Sequence, residues 1–504
     1  MDEVARDALP VVVVGAGPVG LAAAAHLLER GLEPLVLEAG DGPGAAVRAW
    51  GHVRLFSPWR YDVDAAARRL LEATGWVAPD PDALPTGDEL VRDYLAPLAA
   101  TDALASRLRT GTRVVAVARD GADRTRSLGR DRRGYRVRTV TADGRVEDVR
   151  ARAVLDASGT SGTPNPLGTS GLPAVGEEVA APFLAGALPD VLGADRDRFA
   201  GRRTLVVGMG HSAANTLLAL LELGEAVPHT AVTWAIRGGS PRRLFAGGAD
   251  DELPARGLLG TRLRRALEAG RLTLVRRASI ERLEPEGDLV RVLGTARDEV
   301  LDVRVHTVVN ATGFRPDLAM LREVRLDLDP VVESPARLAV LIDPNHHSCG
   351  TVPPHGEALL SHPDDGFYLV GMKSYGRAPT FLLATGYEQV RSVAAALAGD
   401  RTAADRVALD LPATGVCSTD LAGDTDGTAG TAGAACCGGT AEPQLVTLGA
   451  GAPAGAGPTA GLGARLRVGV GVGAGIGVGV GVGFASGVPH GRSGDAADAG
   501  DDQR

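Results

Sequence analysis

The chain has 504 residues, with 62 acidic against 53 basic side chains and a net charge of −9; the length supports two or three domains around a sizeable core, and the acidic balance excludes general nucleic-acid binding. Four cysteines are too few for a disulfide framework. The opening MDEVARDALP is acidic and lacks a basic n-region, so no secretory signal and a cytoplasmic location are expected.

The first element in chain order is Val11–Val14, four valines that run into Gly15-Ala16-Gly17-Pro18-Val19-Gly20 and an alanine-rich stretch over 21–30. That is the order strand, glycine turn, helix. Gly15 permits the tight turn, Gly17 lets backbone approach a pyrophosphate, and Gly20 lets the helix pack against the strand. Pro18 falls in the first helical turn, where a missing N–H costs nothing. The free N–H groups there, with the helix dipole, favour phosphate. A strand over 35–37 ends in Glu38, placed to accept hydrogen bonds from a ribose diol.

Residues 50–59 carry two of the four tryptophans, Trp50 and Trp59, which suggest a rigid apolar wall beside this turn or ordinary core packing, with Phe56 and Ser57 between them as further candidates near a ligand ring. Residues 61–74 have helical spacing, and Thr86 with Glu89 makes a capping box for the next helix. Strand patterns follow at 113–118, 135–140 and 149–155, with the charged segment 123–133 read as a solvated hairpin loop. The last strand ends in Asp156-Ala157-Ser158-Gly159, a small-residue turn that lets backbone pass close to a ligand.

After a linker over 160–176 the opening motif returns. A strand over 204–207 leads into Gly208-Met209-Gly210-His211-Ser212-Ala213, the alanine variant of the same fingerprint, and a helix over 214–223. The next strand, 231–236, ends in Arg237, with Arg242 and Arg243 beyond. An acid at this place favours a free ribose 2′-hydroxyl and arginine favours a 2′-phosphate. The first site therefore reads as FAD and the second as NADPH. A second meander is expected over 272–275, 279–283 and 289–293, leading to Asn310-Ala311-Thr312-Gly313. His346 and His347 have no metal-ligand spacing, so no metal site is expected. The segment from Gly371 through Lys373, Tyr375 and Arg377 precedes a helix over 381–397, whose start is placed to offer N–H groups to a flavin carbonyl. From 413 the chain is Gly, Ala, Thr and Pro, a composition that predicts disorder. Within it, 468–489 is long enough to span a bilayer, but alternates Val with Gly and reads as low complexity.

The pattern resembles the two-dinucleotide-binding flavoproteins, and most of all the flavin-containing monooxygenase branch. Gly15, Gly17, Gly20 and Glu38 carry the FAD half, Gly208, Gly210 and Ala213 the NADPH half, and 310–314 resembles the family's ATG motif. The resemblance covers roughly 9–400. It implies an α/β fold with two Rossmann-like dinucleotide-binding domains, each with a small antiparallel β-meander, and the disordered tail beyond. The implied division is an FAD-binding domain in two segments, 9–165 and 306–405, an inserted NADPH-binding domain over 166–305, and the tail at 413–504. There are departures. The family's FxGxxxHxxxW/F fingerprint has no histidine in 183–194 here, the family's asparagine-containing segment after the first motif is absent, and the CxxC of the related thioredoxin reductases is missing.

The resemblance implies an NADPH-dependent oxidoreductase that oxygenates a small organic substrate with dioxygen through a flavin hydroperoxide, without a membrane or nucleic-acid partner. Hydride transfer requires two stacked rings in a dry pocket rather than a catalytic triad. The residues expected around the flavin are Lys373, Tyr375 and Arg377, with Trp50, Ser57, Gly159, Gly313 and Gly371 lining the cofactors, and Lys373 or Arg377 placed to stabilise a reduced, anionic ring. Pro18, His211, Ser212 and Arg237 complete the nucleotide contacts. Two rival readings remain. Cys436 and Cys437, with Cys417, suit a reductase of a thiophilic metal, a metalloid or a quinone; a non-catalytic redox sensor is the other.

Overall fold

A computed structural model describes residues 6–245, 254–297, 299–344, 352–378 and 381–409. The expected tail, its three cysteines and the pair His346 and His347 lie outside these residues.

Two five-stranded parallel sheets organise the chain, each with a glycine-turn strand at its centre. In the first, β1 (Val11–Val14) pairs with β2 (Pro34–Leu37) and β7 (Ala153–Asp156), while β3 (Leu108–Arg109) and β16 (Phe367–Leu369) form the edges. All four residues of β1 are buried, because both faces of the sheet are covered. Val11 and Val13 pack with helix α1 (Pro18–Glu29) in one core, and Val12 and Val14 pack with Tyr135 and Val137 in another. Full burial of each valine contributes about 1.5–3 kcal/mol. Tyr135 and Val137 belong to the first meander, β4 (Thr112–Arg119), β5 (Tyr135–Thr141) and β6 (Val146–Ala151), which is antiparallel throughout.

The second sheet repeats the plan. Its centre, β9 (Arg203–Val207), lies between β10 (Ala231–Ala235) and β15 (Thr307–Asn310), with β11 (Thr273–Val275) and β8 (Leu184–Ala185) at the edges. Val206 and Trp234 pack with α2 (His211–Ala226), and Leu205 and Val207 pack with the second meander. That meander is β12 (Ala278–Glu286), β13 (Leu289–Ala296) and β14 (Glu299–Val305).

Three expectations change. Residues 273–275 form a parallel edge strand and not the first strand of the meander; the meander's third strand is β14, EVLDVRV, whose apolar alternation is broken by charged residues. Residues 307–310, assigned to the returning FAD segment from 306, pair with β9 and belong to the second sheet. The segment 123–133 is mostly exposed, but Arg130 is buried and makes two 2.7 Å hydrogen bonds to Asp364. Arg119, also buried, lies 4.2 Å from the centre of the Tyr135 ring and donates to the Asp365 carbonyl. The two arginines tie the first meander to the turn before β16. Among the described residues no helix is long and apolar enough to cross a membrane.

Candidate functional site: two nucleotide cradles

Both cradles lie at the carboxyl ends of the central strands, where open α/β sheets bind ligands. In the first, Gly15 takes φ +98°, a conformation that L side chains rarely adopt. A Cβ on Gly15 would stand 2.9 Å from the Ala157 carbonyl oxygen, and one on Gly20 only 2.0 Å from the Gly15 oxygen. At Gly17 the surroundings are open, with nothing within 4 Å. Gly17 is also the N-cap of α1, has no side-chain cap, and is followed by Pro18 at the start of the helix. The open glycine and uncapped helix start fit a pyrophosphate. The two carboxylate oxygens of Glu38 accept the Ala16 and Gly40 N–H groups, both at 2.7 Å. Each oxygen keeps a lone pair for a ribose hydroxyl.

The second cradle is built likewise. Gly208 has φ +132°, and a Cβ there would stand 2.0 Å from the Ala311 oxygen. Gly210 caps α2 without a side-chain cap and faces open space. Ala213, buried, stands where the first motif has Gly20. Trp234 supports the turn from behind, donating its indole N–H to the Gly208 carbonyl at 2.7 Å. Arg237 is exposed just past β10. Three residues further a cavity of about 400 Å³ begins, lined by Ser240, Pro241, Phe245, Arg264, Leu267, Glu268 and Arg276. Arg242 and Arg243 fall in a short helix whose arginine side chains lie outside the description.

Each cradle is closed by a strand-end turn, and the two turns match. Ser158 donates its hydroxyl to Asp156 Oδ1 at 2.6 Å and its N–H at 3.1 Å. Thr312 makes the same two bonds to Asn310 Oδ1, at 2.7 and 3.2 Å. Gly159 and Gly313 follow with φ +70° and +94°. The second turn is clasped by Asn165 from the linker, whose carbonyl accepts Asn310 Nδ2 at 2.8 Å and, at 3.0 Å, shares the single Thr312 hydroxyl proton with Asn310 Oδ1.

Lys373 is not a free cation. It is 1 % exposed, and its ammonium donates to Asp156 Oδ2 at 2.6 Å and Ser158 Oγ at 3.0 Å. Arg377 is exposed and paired with Glu333 at 2.5 Å. Tyr375 is buried edge-to-face on Phe381 at 5.2 Å, and burial pushes its hydroxyl pKa up. Gly371 has φ +67° and packs against Val19 of α1; its N–H donates to Gln389 Oε1 at 2.8 Å. Gln389 belongs to α3 (Leu383–Leu397), which starts two residues later than expected. The amide of Gln389 also donates to Ser374 Oγ and His355 Nε2, both at 2.9 Å. His355 Nδ1 donates to the Pro353 carbonyl, and burial holds this imidazole's pKa below its usual value.

Both tryptophans of the expected wall pack into the first core, Trp59 buried and Trp50 with its ring against Gly87. Phe56 reaches across, 5.3 Å from the His211 ring at the start of α2. That contact joins the segment 50–59 to the second cradle. Ser57, buried behind it, donates to Asp62 Oδ1 at 2.7 Å. Asp62 is fully buried with Oδ2 unpartnered, and burial pushes its carboxyl up to about 7. Sequence reasoning missed Asp62 and Asn165. Asp62 left one signal, a carboxylate between Trp59 and an alanine-rich helix; Asn165 left none. Among the described residues no cluster of three or more His, Cys, Asp or Glu is placed to hold a metal ion.

The family profile described as pyridine nucleotide-disulphide oxidoreductase matches residues 12–333. This chain belongs to that family. The expected class, a two-dinucleotide flavoprotein oxidoreductase, is the one found. Solved structures share the fold. A bacillithiol disulfide reductase from Bacillus cereus is 19 % identical over 78 % of this chain and 99 % of its own, with a TM-score of 0.58. The FAD-bound cadaverine monooxygenase of desferrioxamine biosynthesis from Erwinia amylovora is 14 % identical over 81 % and 99 %, TM-score 0.54. An ornithine N-hydroxylase from Kutzneria sp. 744, with reduced FAD, NADP+ and L-ornithine, is 18 % identical over 78 % and 99 %, TM-score 0.52. At these identities the likeness is one of fold.

Proposed function

We propose that the first cradle holds FAD, the second holds NADPH, and the protein is a monooxygenase that acts on a small organic substrate with dioxygen. FAD, when bound, takes hydride from the nicotinamide and passes electrons on. The chain's own residues do the rest. Gly17 and Gly210 admit the two pyrophosphates to the starts of α1 and α2. Glu38 accepts ribose hydroxyls and repels a 2′-phosphate, while Arg237 attracts one. Phe56 lies against His211 and so joins the segment 50–59 to the second cradle. In this reading the FAD domain comprises 9–165 and the segment after β15, with the NADPH domain inserted between them.

One observation carries the choice of oxygen over a disulfide. Residues 1–348 contain no cysteine, and none of the four cysteines is spaced as CxxC. A thiol relay from reduced flavin to a disulfide needs sulfur beside the ring. The test is anaerobic reduction of the flavin by NADPH followed by admission of oxygen. A delay before the oxidised spectrum returns, with less than one hydrogen peroxide released per NADPH when an amine or thioether substrate is present, supports the reading. Immediate recovery with one peroxide per NADPH, or anaerobic reoxidation by a low-molecular-weight disulfide, would overturn it.

A further inference from the structure

The two strand-end turns share a hydrogen-bond pattern and differ in charge. Around Asn310 every partner is neutral. Around Asp156 the acceptor is a carboxylate, and an ammonium 217 residues away closes on it. A buried ion pair adds little stability, since desolvation offsets most of its attraction. The neutral copy forms the same turn without one. The Lys373–Asp156 pair therefore has a task beyond holding the turn.

Ser158 identifies that task. Ser158 is exposed, whereas Asp156 and Lys373 beneath it are 0 % and 1 % exposed. A serine hydroxyl has one proton and two lone pairs. Here the proton goes to Asp156 Oδ1, and the ammonium donates into one lone pair. One lone pair is left, so Ser158 Oγ can act toward a ligand only as an acceptor. Ser158 stands at the first cradle: its Cα is 3.2 Å from the place a Cβ on Gly15 would take.

We propose that Lys373 is a positioning residue of the first nucleotide site: acting through Ser158, it fixes that hydroxyl as an acceptor for an O–H of the polyhydroxyl segment of the bound dinucleotide. This rests on reading the first cradle as a dinucleotide site. A phosphate oxygen, having no hydrogen to give, is turned away from the same spot, so the pair helps set the register of pyrophosphate against sugar. The hydroxyl comes from the ribityl chain or from the adenosine ribose.

The test is titration of the flavin-free protein with FAD and, separately, with ADP, which has the ribose but no ribityl chain. Lys373→Met is expected to weaken FAD binding about fivefold, the effect of one neutral hydrogen bond. Lys373→Arg, which keeps a donor, recovers most of that. Ser158→Ala weakens binding by a similar factor, and adding Lys373→Met to it costs less than a further twofold, because both remove one contact. A loss for FAD alone assigns the ribityl chain; a loss for both ligands assigns the ribose. Unchanged FAD affinity in Lys373→Met, or losses that multiply in the double variant, would overturn the proposal. Should Lys373→Met fold poorly, Asp156→Asn with Lys373→Met reproduces the neutral Asn310 turn; wild-type FAD affinity in that variant overturns the proposal equally. Failure of the wild-type chain to take up FAD overturns the cofactor reading and this one with it, whereas uptake indifferent to Lys373 sinks this one alone.

Discussion

The two nucleotide units are one design executed twice with different tolerances. In both, the first glycine of the turn presses against a carbonyl, Ala157 in one and Ala311 in the other. In both, an Asx residue at a strand end collects the hydroxyl and N–H of the residue two places on. At the first glycine the second unit is the closer, 2.0 against 2.9 Å, but between helix and turn the first unit is the tighter. Its helix lies so close to the turn that a Cβ on Gly20 would meet the Gly15 oxygen at 2.0 Å, while the second unit carries a methyl at Ala213. The first unit's turn is closed by an ion pair, the second's by neutral amides and carbonyls. A site that keeps its ligand through every turnover gains from rigid, charged closure. A site that must release its ligand gains from a looser fit.

Four tests, using six substitutions, would break or sharpen this contrast. The largest effect is expected from Asp156→Asn alone, which strands the Lys373 ammonium in the interior: about 3–5 kcal/mol of stability is lost, read by chemical denaturation. Asn310→Asp, at the half-buried counterpart, is expected to cost less than half as much, and equal costs would dissolve the distinction. Next, Gly20→Ala is expected to cost about 2–3 kcal/mol and most of the bound flavin, because the obstructing atom is backbone. Ala213→Gly costs about 1 kcal/mol; thermal melts of the pair decide. Third comes Asp62, which has no counterpart in the second unit. Its folded-state pKa, about 7, lies above the unfolded value. The native state therefore binds the proton more tightly, and the stability this confers is complete below about pH 4 and lost as pH rises through 7. Asp62→Asn is thus expected to gain on the order of 2 kcal/mol over wild type at pH 8 and almost nothing at pH 4; parallel melts that fail to diverge with pH would remove Asp62 from consideration. The smallest effect concerns ligand choice: Arg237→Ala should raise KM for NADPH about tenfold and leave KM for NADH nearly unchanged.

The cradles were legible in the sequence because their constraints are local. Gly15, Gly17 and Gly20 are dictated by backbone contacts within one strand–turn–helix, and the same spacing at Gly208 made the repeat readable. Glu38 and Arg237 could be compared because strand ends fix their places. What escaped depends on partners far along the chain. Lys373 finds Asp156 217 residues away, and Arg130 finds Asp364 234 residues away; in isolation the first read as a cation for the flavin and the second as part of a solvated loop. Asn165 looked like part of a featureless linker. Asp62 became unusual only through the burial that Trp59, Tyr94 and Tyr387 impose around it.

The clasp at Asn165 bears on the order in which the molecule is made. Asn165 leaves the ribosome 145 residues before Asn310, the side chain it receives. The linker also bridges to the chain's return, Pro164 pairing with Phe314 and Thr163 accepting the Arg315 N–H. The second unit therefore cannot finish its nucleotide turn from its own polypeptide. A fragment cut to begin at 166 would emerge with that turn unlatched, while one begun at 160 carries the latch with it. The boundary that looks natural by counting strands is the wrong place to cut.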